Sequence, residues 1–233
     1  KPIIGCEVYV TPQGRTRFDK VHELDAESRH LVLLCENEEG YRNLSYLVSM
    51  GWTEGFYIKP RIDLELLRQY SGGLIALSAC LAGEIPRRLR NGEYENAKAY
   101  ALELSHIFGP DRFYLELQDH GIRDQAIVNQ GILRIHRETG LPMVCTNDAH
   151  YLRKEDAEAH DVLLCIQTGK TIDDENRMRY EPRNFYLRSE EEMAALFAGY
   201  EGALENTSKI ADMCNLDFSF GKYHLPEFQL PEG

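Results

Sequence analysis

Short apolar runs alternate with amphipathic stretches through the first 150 or so residues, and this alternation restricts the chain to an α/β arrangement. The runs are Ile3–Val10, Leu31–Cys35, Leu74–Ser78, Phe113–Gln118 and Met143–Thr146, each short enough for a strand and too short for a buried helix. Between most of them lie stretches with helical spacing. Gly40–Met50 carries Leu44, Leu47 and Val48, and Leu64–Tyr70 follows Asp63 as its N-cap. Glu93–Phe108 stacks Ala97, Ala101, Leu104 and Phe108 on one stripe, and Arg123–Arg137 does the same with Ile127, Gly131 and Ile135. Alternation of this kind predicts a mostly parallel sheet with right-handed crossovers, open or closed into a barrel. From Glu155 onward the strand signal fades. Asp156–Gln167, Ser189–Phe197 with its S-x-x-E start, and Glu201–Cys214 read as helices, so the chain divides into residues 1–154 and a helical extension over 155–233. The end, from Phe220, is punctuated by Pro and Gly and reads as a boundary with a following segment.

Charge narrows the functional classes. A net charge of -12 makes this a poor free-standing nucleic-acid binder, because phosphate neutralisation by basic groups supplies most of such affinity. Acidity is compatible with a metal site, and with action on a nucleic-acid end delivered by another domain. The six cysteines are dispersed, several inside apolar runs, and no C-x-x-C occurs, which predicts reduced thiols in a cytoplasmic protein. No apolar run approaches the ~20 residues of a membrane span, so no membrane partner is expected. Lys1–Val10 opens directly on a strand without an initiator methionine, as if cut from something longer.

The densest chemistry lies at Thr146-Asn147-Asp148-Ala149-His150. If the preceding strand continues, its period of two points Asp148 and His150 the same way, a pairing that suits a divalent metal or an acid–base couple. Glu7 in the first run, Cys80 two residues beyond Leu74–Ser78, and the pair Asp119–His120 after Phe113–Gln118 fall near strand ends too, where α/β folds collect reacting groups. His30 precedes its run and so stands at the wrong end, unless that strand turns back on the first as a hairpin. Each residue alone has an ordinary reading: a solvated strand glutamate, a small buried thiol, a strand cap, a turn. Together they assemble the ligand types that hold zinc or manganese. His22, His106, His136 and His224 lack such placement and are expected at the surface.

Longer stretches resemble a known family. They are Lys1–Glu7, His30–Leu44, Glu54–Asp63, Gly73–Pro86, Leu115–Gly121, Thr146–Tyr151, Glu155–Lys170 and Phe220–Pro226. All are similar to the amino-terminal PHP (polymerase and histidinol phosphatase) domain of bacterial DNA polymerase III alpha subunits, and the resemblance covers essentially the whole chain. It implies an incomplete PHP-type distorted (β/α)7 barrel with a C-terminal helical extension. On this reading residues 1–154 form the barrel without its first strands and helices, and 155–233 complete it up to an absent polymerase palm. It implies metal-ligand positions at Glu7, His30, Cys80, Asp148 and His150. The family's earlier H-x-H and D-H motifs are absent here, so zinc or manganese is expected to be held weakly or not at all; magnesium belongs to the polymerase site.

The function this resemblance implies is that of a metal-dependent 3′–5′ exonuclease module within a replicative nucleotidyltransferase. No catalytic residue is expected apart from the metal site. Asp119, His120, Lys59 and Arg61 are candidates for supporting the ligands or steadying phosphate oxygens. Primer–template DNA and the other polymerase III holoenzyme subunits are the implied partners, and the chain by itself is not expected to polymerise. Two alternatives stand beside this one: a structural module in which metals staple the fold, and a stand-alone phosphoesterase. A bare sheet edge where the missing unit belongs is expected to promote self-association.

Overall fold

The computed structural model describes residues 1–223 and Leu225; His224 and the end from 226 to 233 lie outside the described residues. Seven strands form one sheet: β1 (Gly5–Val10), β2 (Arg29–Cys35), β3 (Phe56–Tyr57), β4 (Lys59–Ile62), β5 (Leu74–Leu77), β6 (Phe113–Leu117) and β7 (Met143–Cys145). Their order is β3-β4-β1-β2-β5-β6-β7. Among the described residues nine α-helices connect or cover them: α1 (His22–Asp25), α2 (Glu38–Thr53), α3 (Leu64–Tyr70), α4 (Glu84–Arg90), α5 (Tyr94–Phe108), α6 (Arg123–Thr139), α7 (Ala157–Thr168), α8 (Glu190–Leu196) and α9 (Glu205–Met213).

The sheet is mixed rather than mostly parallel. β2 runs antiparallel to both β1 and β5, and β3 to β4, whereas β1–β4, β5–β6 and β6–β7 are parallel. The reversal at β2 carries the start of that strand, and His30 with it, to the end of the sheet where β1, β5 and β7 finish. The order runs open from β3 to β7 among the described residues, without a pairing that closes it.

Alternation in β2 divides the core. Leu31, Leu33 and Cys35 face the main cluster beneath α2 to α6, while Val32 and Leu34 face a smaller one with Ile75, Leu77, Tyr114, Val144 and, from α9, Ile210 and Met213. β5 and β6 are buried on both faces, which explains their unbroken apolar character. Met193, Phe197 and Ala203 from the helical extension join the main cluster.

Local chemistry sets the helix starts. Asn37 and Asp63 accept from the backbone of Gly40 and Leu66, and Ser189 forms a reciprocal capping box with Glu192. Gly40 lets the first turn of α2 lie directly on the chain before β5, since a Cβ there would meet the Gly73 carbonyl oxygen.

No long bare edge exists among the described strands. β3 has two residues, and the outer side of β7 is covered: Cys145 N donates to Ala203 O (3.1 Å) and Asn206 Nδ2 to Met143 O (2.7 Å). The naked edge expected from the sequence is therefore absent among the described strands. All six cysteines are free, and no described helix is long and apolar enough to cross a membrane.

Candidate metal centre

Glu7, His30 and Cys80 come from three elements and meet at one point. In the β1–β2 register Tyr9 faces His30, so Glu7, two residues back on the same face, is its diagonal neighbour. Its Oε1 lies 3.0 Å from His30 Nδ1. Cys80 arrives on the turn after β5, where Ala79 takes a left-handed conformation (φ +63°), and its Sγ is 3.7 Å from the same Nδ1. The turn is stitched to β2, because His30 N donates to Ala82 O at 3.2 Å.

The three donor atoms all lie within 4.8 Å of one another. Ligand atoms around a tetrahedral zinc, with bonds of about 2.0–2.3 Å, stand roughly 3.3–3.8 Å apart. One imidazole, one thiol and one carboxylate at these separations fit such an ion. The contacts with Cys80 and then Glu7 raise His30 to about 10, against the pull of burial.

Asp148 and His150 form a second group. β7 ends at Cys145, and Asp148 has φ +40°, so strand alternation does not reach them. The loop itself aims the two side chains, with His150 Nε2 3.6 Å from Asp148 Oδ1. Residues 185–188 brace this loop: His150 N donates to Phe185 O (2.8 Å) and Asn147 Nδ2 to Tyr186 O (2.5 Å). Burial pushes the Asp148 carboxyl up, but His150, with His120 and His30 behind it, outweighs that and holds it below the ordinary carboxylate value. Burial, and then the negative field of Asp148, Cys80 and Glu7, push the phenol of Tyr180 up. Tyr180 packs beside the second group, with its ring 4.5 Å from that of His150.

The four supporting candidates divide. His120 is fully buried, its Nε2 on Asn147 O and its Nδ1 on Gln125, both at 2.8 Å, with its ring stacked on Phe185. Both ring nitrogens are committed, so it props the Asp148 loop from beneath and offers no lone pair to an ion. Asp119 closes a turn by accepting from Gly121 N. Arg61 does not contact phosphate: at 0% exposure, its guanidinium donates to the carbonyls of Gly55, Asp25, Arg17 and Asp19. Lys59 is exposed, its ammonium 5.5 Å from the centre of the Tyr9 ring. Among the histidines expected at the surface, His136 is instead half-buried, with Nδ1 donating to Leu141 O.

Sequence reasoning missed Glu116. This buried β6 carboxyl accepts from Ala79 N (2.8 Å), Thr146 Oγ1 (2.5 Å) and Gln118 Nε2 (3.2 Å). It thereby links the turn that carries Cys80 to the loop that carries Asp148. Its neighbours in sequence are apolar or amide residues, and a lone glutamate in an apolar run gives no signal of such a role. A separate cavity of 570 Å³ lies between the end of β7 and α8–α9, and none of the five donors lines it.

The PHP domain family matches residues 1–120. The chain is 47% identical to DNA polymerase III subunit alpha of Borreliella burgdorferi, aligned over 99% of this chain and 20% of that protein. It is 46% identical to the protein of the same name from Thermus aquaticus, over 100% and 20%, and 43% identical to that of Treponema pallidum, over 99% and 20%. The chain thus spans about a fifth of the length of the curated relatives it matches.

Proposed function

The chain belongs to the PHP domain family, and on that footing we propose that it is the divalent-metal-binding module of a replicative DNA polymerase alpha subunit, hydrolysing phosphodiester bonds at a primer 3′ end. The observation that carries this reading is the convergence of Glu7, His30 and Cys80, whose donor atoms lie within 4.8 Å of one another. Names of the relatives favour this over a stand-alone phosphoesterase. Glu7, His30 and Cys80 would hold one ion, and Asp148 and His150 would complete the centre. A divalent ion held there lowers the pKa of a water and draws charge from phosphoryl oxygens. The protein's own part is positional: the braced loop and the Glu116 link fix the donors, and the Tyr180 ring packs against His150.

Metal analysis of a polypeptide of the relatives' full length, followed by incubation with a 5′-labelled single-stranded oligonucleotide and zinc or manganese, tests this. The expected result is stepwise loss of 3′ nucleotides that Cys80→Ala and Glu7→Ala abolish. Metal uptake that raises the melting temperature without any hydrolysis would favour the structural staple, a reading supported by the three donors coming from β1, β2 and the turn after β5.

A further inference from the structure

Beside the candidate centre runs a groove of 460 Å³ between the β3–β4 hairpin and α4. Its free basic groups are Lys59 at the hairpin and Arg87 and Arg90 on α4; Arg29, which also lines it, is taken up by Glu84, Glu27 is its one acid, and Ile58 and Leu81 give it apolar walls. It adjoins the centre directly: Leu81 follows Cys80, and Lys59 lies over Tyr9, whose ring packs edge-on 5.1 Å from that of His30.

On a chain of net charge -12, these cations are lightly committed. The ammonium of Lys59 has only the Tyr9 ring as a partner among the described residues. Arg87 is 3.7 Å from the exposed Glu27 and Arg90 is 3.8 Å from Asp124, both beyond hydrogen-bonding distance. Arg88, between them in sequence, is by contrast held by Glu84, Asn96 O and Gln13.

Ile58 is a second, independent signal. It is a β-branched residue at φ +64°, 52% exposed at the tip of the hairpin. Such a conformation costs on the order of 1–3 kcal/mol and persists where the surroundings over-determine it. Nothing in the core is filled by this side chain, which instead stands on the groove wall.

The geometry points to a binding groove for a single nucleic-acid strand, in which Lys59, Arg87 and Arg90 take successive backbone phosphates and Ile58 and Leu81 flank a base. This rests on the phosphodiester reading above and adds to it the path by which the strand reaches the centre. Several cations sharing a groove with apolar groups suit a polyanion that carries flat apolar groups, more than a compact anion.

Fluorescence anisotropy of a labelled oligo-dT with the 233-residue chain, in EDTA, reads binding without hydrolysis. Lys59→Glu combined with Arg87→Glu is expected to weaken binding about tenfold or more at low salt and to flatten the salt dependence of log K by roughly 1.4, two contacts at ~0.7 each. A control with the same charge change, Lys98→Glu with Lys209→Glu on α5 and α9, is expected to bind like the parent. Ile58→Gly is expected to melt at or above the parent temperature, since glycine relieves the strain, yet to bind more weakly. Equal losses in the control and groove variants, or no loss in the latter, overturn the groove. So does displacement of the oligonucleotide by poly-glutamate at lower concentration, which would assign the surface to an acidic protein segment. Intact binding, with no excision by a polypeptide of the relatives' full length supplied with metal, overturns the proposed function and leaves the groove standing. Hydrolysis undiminished in the groove variant does the reverse.

Discussion

Glu116 and Asp25 are two buried carboxyls with opposite electrostatic fates. Burial raises Glu116 above its ordinary value, opposed by its bonds from Thr146, Gln118 and Ala79. Its worth is geometric, and Glu116→Ala leaves buried donors on Ala79 and Thr146 unpaired, at about 1–3 kcal/mol each. Urea unfolding is expected to show that loss in the alanine variant, while Glu116→Gln, which keeps an acceptor and a donor, stays closer to the parent; equal losses would mean that shape alone matters. Asp25 is bonded by Arg15 at 2.8 and 2.6 Å, and that contact, with the Val21 amide, holds it down at about 2. A depressed carboxyl stabilises the fold fully above its unfolded value, about 3.9, and loses that contribution as pH falls through the folded value. The stability advantage of the parent over Asp25→Asn should therefore be constant near neutrality and shrink from about pH 4 towards pH 2, followed by thermal melts across that range. A constant gap down to pH 2 would show that Asp25 acts by packing. Neither residue announces itself in sequence, because both roles depend on partners distant along the chain.

At the scale of elements, period two and period 3.6 made most of the architecture legible. Runs around β1, β2, β5, β6 and β7 and the helices α2, α3, α5 and α6 carry clear apolar spacing, and the Asp63 cap and the Ser189 box mark helix starts. What was not legible has physical reasons. β3 and β4 are two and four residues long and contain Lys59 and Pro60, so no alternation develops. α4 holds Pro86 within its first turn, where proline is tolerated yet reads as a break. Asp148 escapes strand alternation through its left-handed φ. The antiparallel placement of β2 was foreseen only as the condition under which His30 joins the site. Close approach of α2 to the chain before β5 rests on a single hydrogen at Gly40. Gly40→Ala would force the helix off the sheet, and a loss of at least about 1–3 kcal/mol is expected in urea unfolding. Parent-like stability would mean that α2 shifts without cost.

For the whole molecule, the donor set raises the question of whether metal serves catalysis, folding or both. Glu7, Cys80, Asp148 and His150 read from sequence as residue types near strand ends, as did Asp119 and His120, while His30 needed a hairpin and the set of five came from the resemblance; the Glu116 link and the burial of Arg61 and His120 appear only once the elements pack. Any ion that binds the folded chain and not the unfolded one stabilises it, by about 2.7 kcal/mol at a hundred times its Kd. A melting temperature that rises with zinc or manganese thus reports binding irrespective of activity. His150→Ala separates the roles. It removes one imidazole from the Asp148 side and leaves Glu7, His30 and Cys80 in place. On the proposed function, in a polypeptide of the relatives' full length, the expected outcome is loss of primer excision with nucleotide incorporation retained, because hydrolysis would need the complete centre and polymerisation would belong to another domain. Loss of incorporation together with a lower melting temperature, from a parent that never excises, would make the metals a staple. Unchanged excision, incorporation and melting would remove His150 from the centre and leave the triad to bind metal alone.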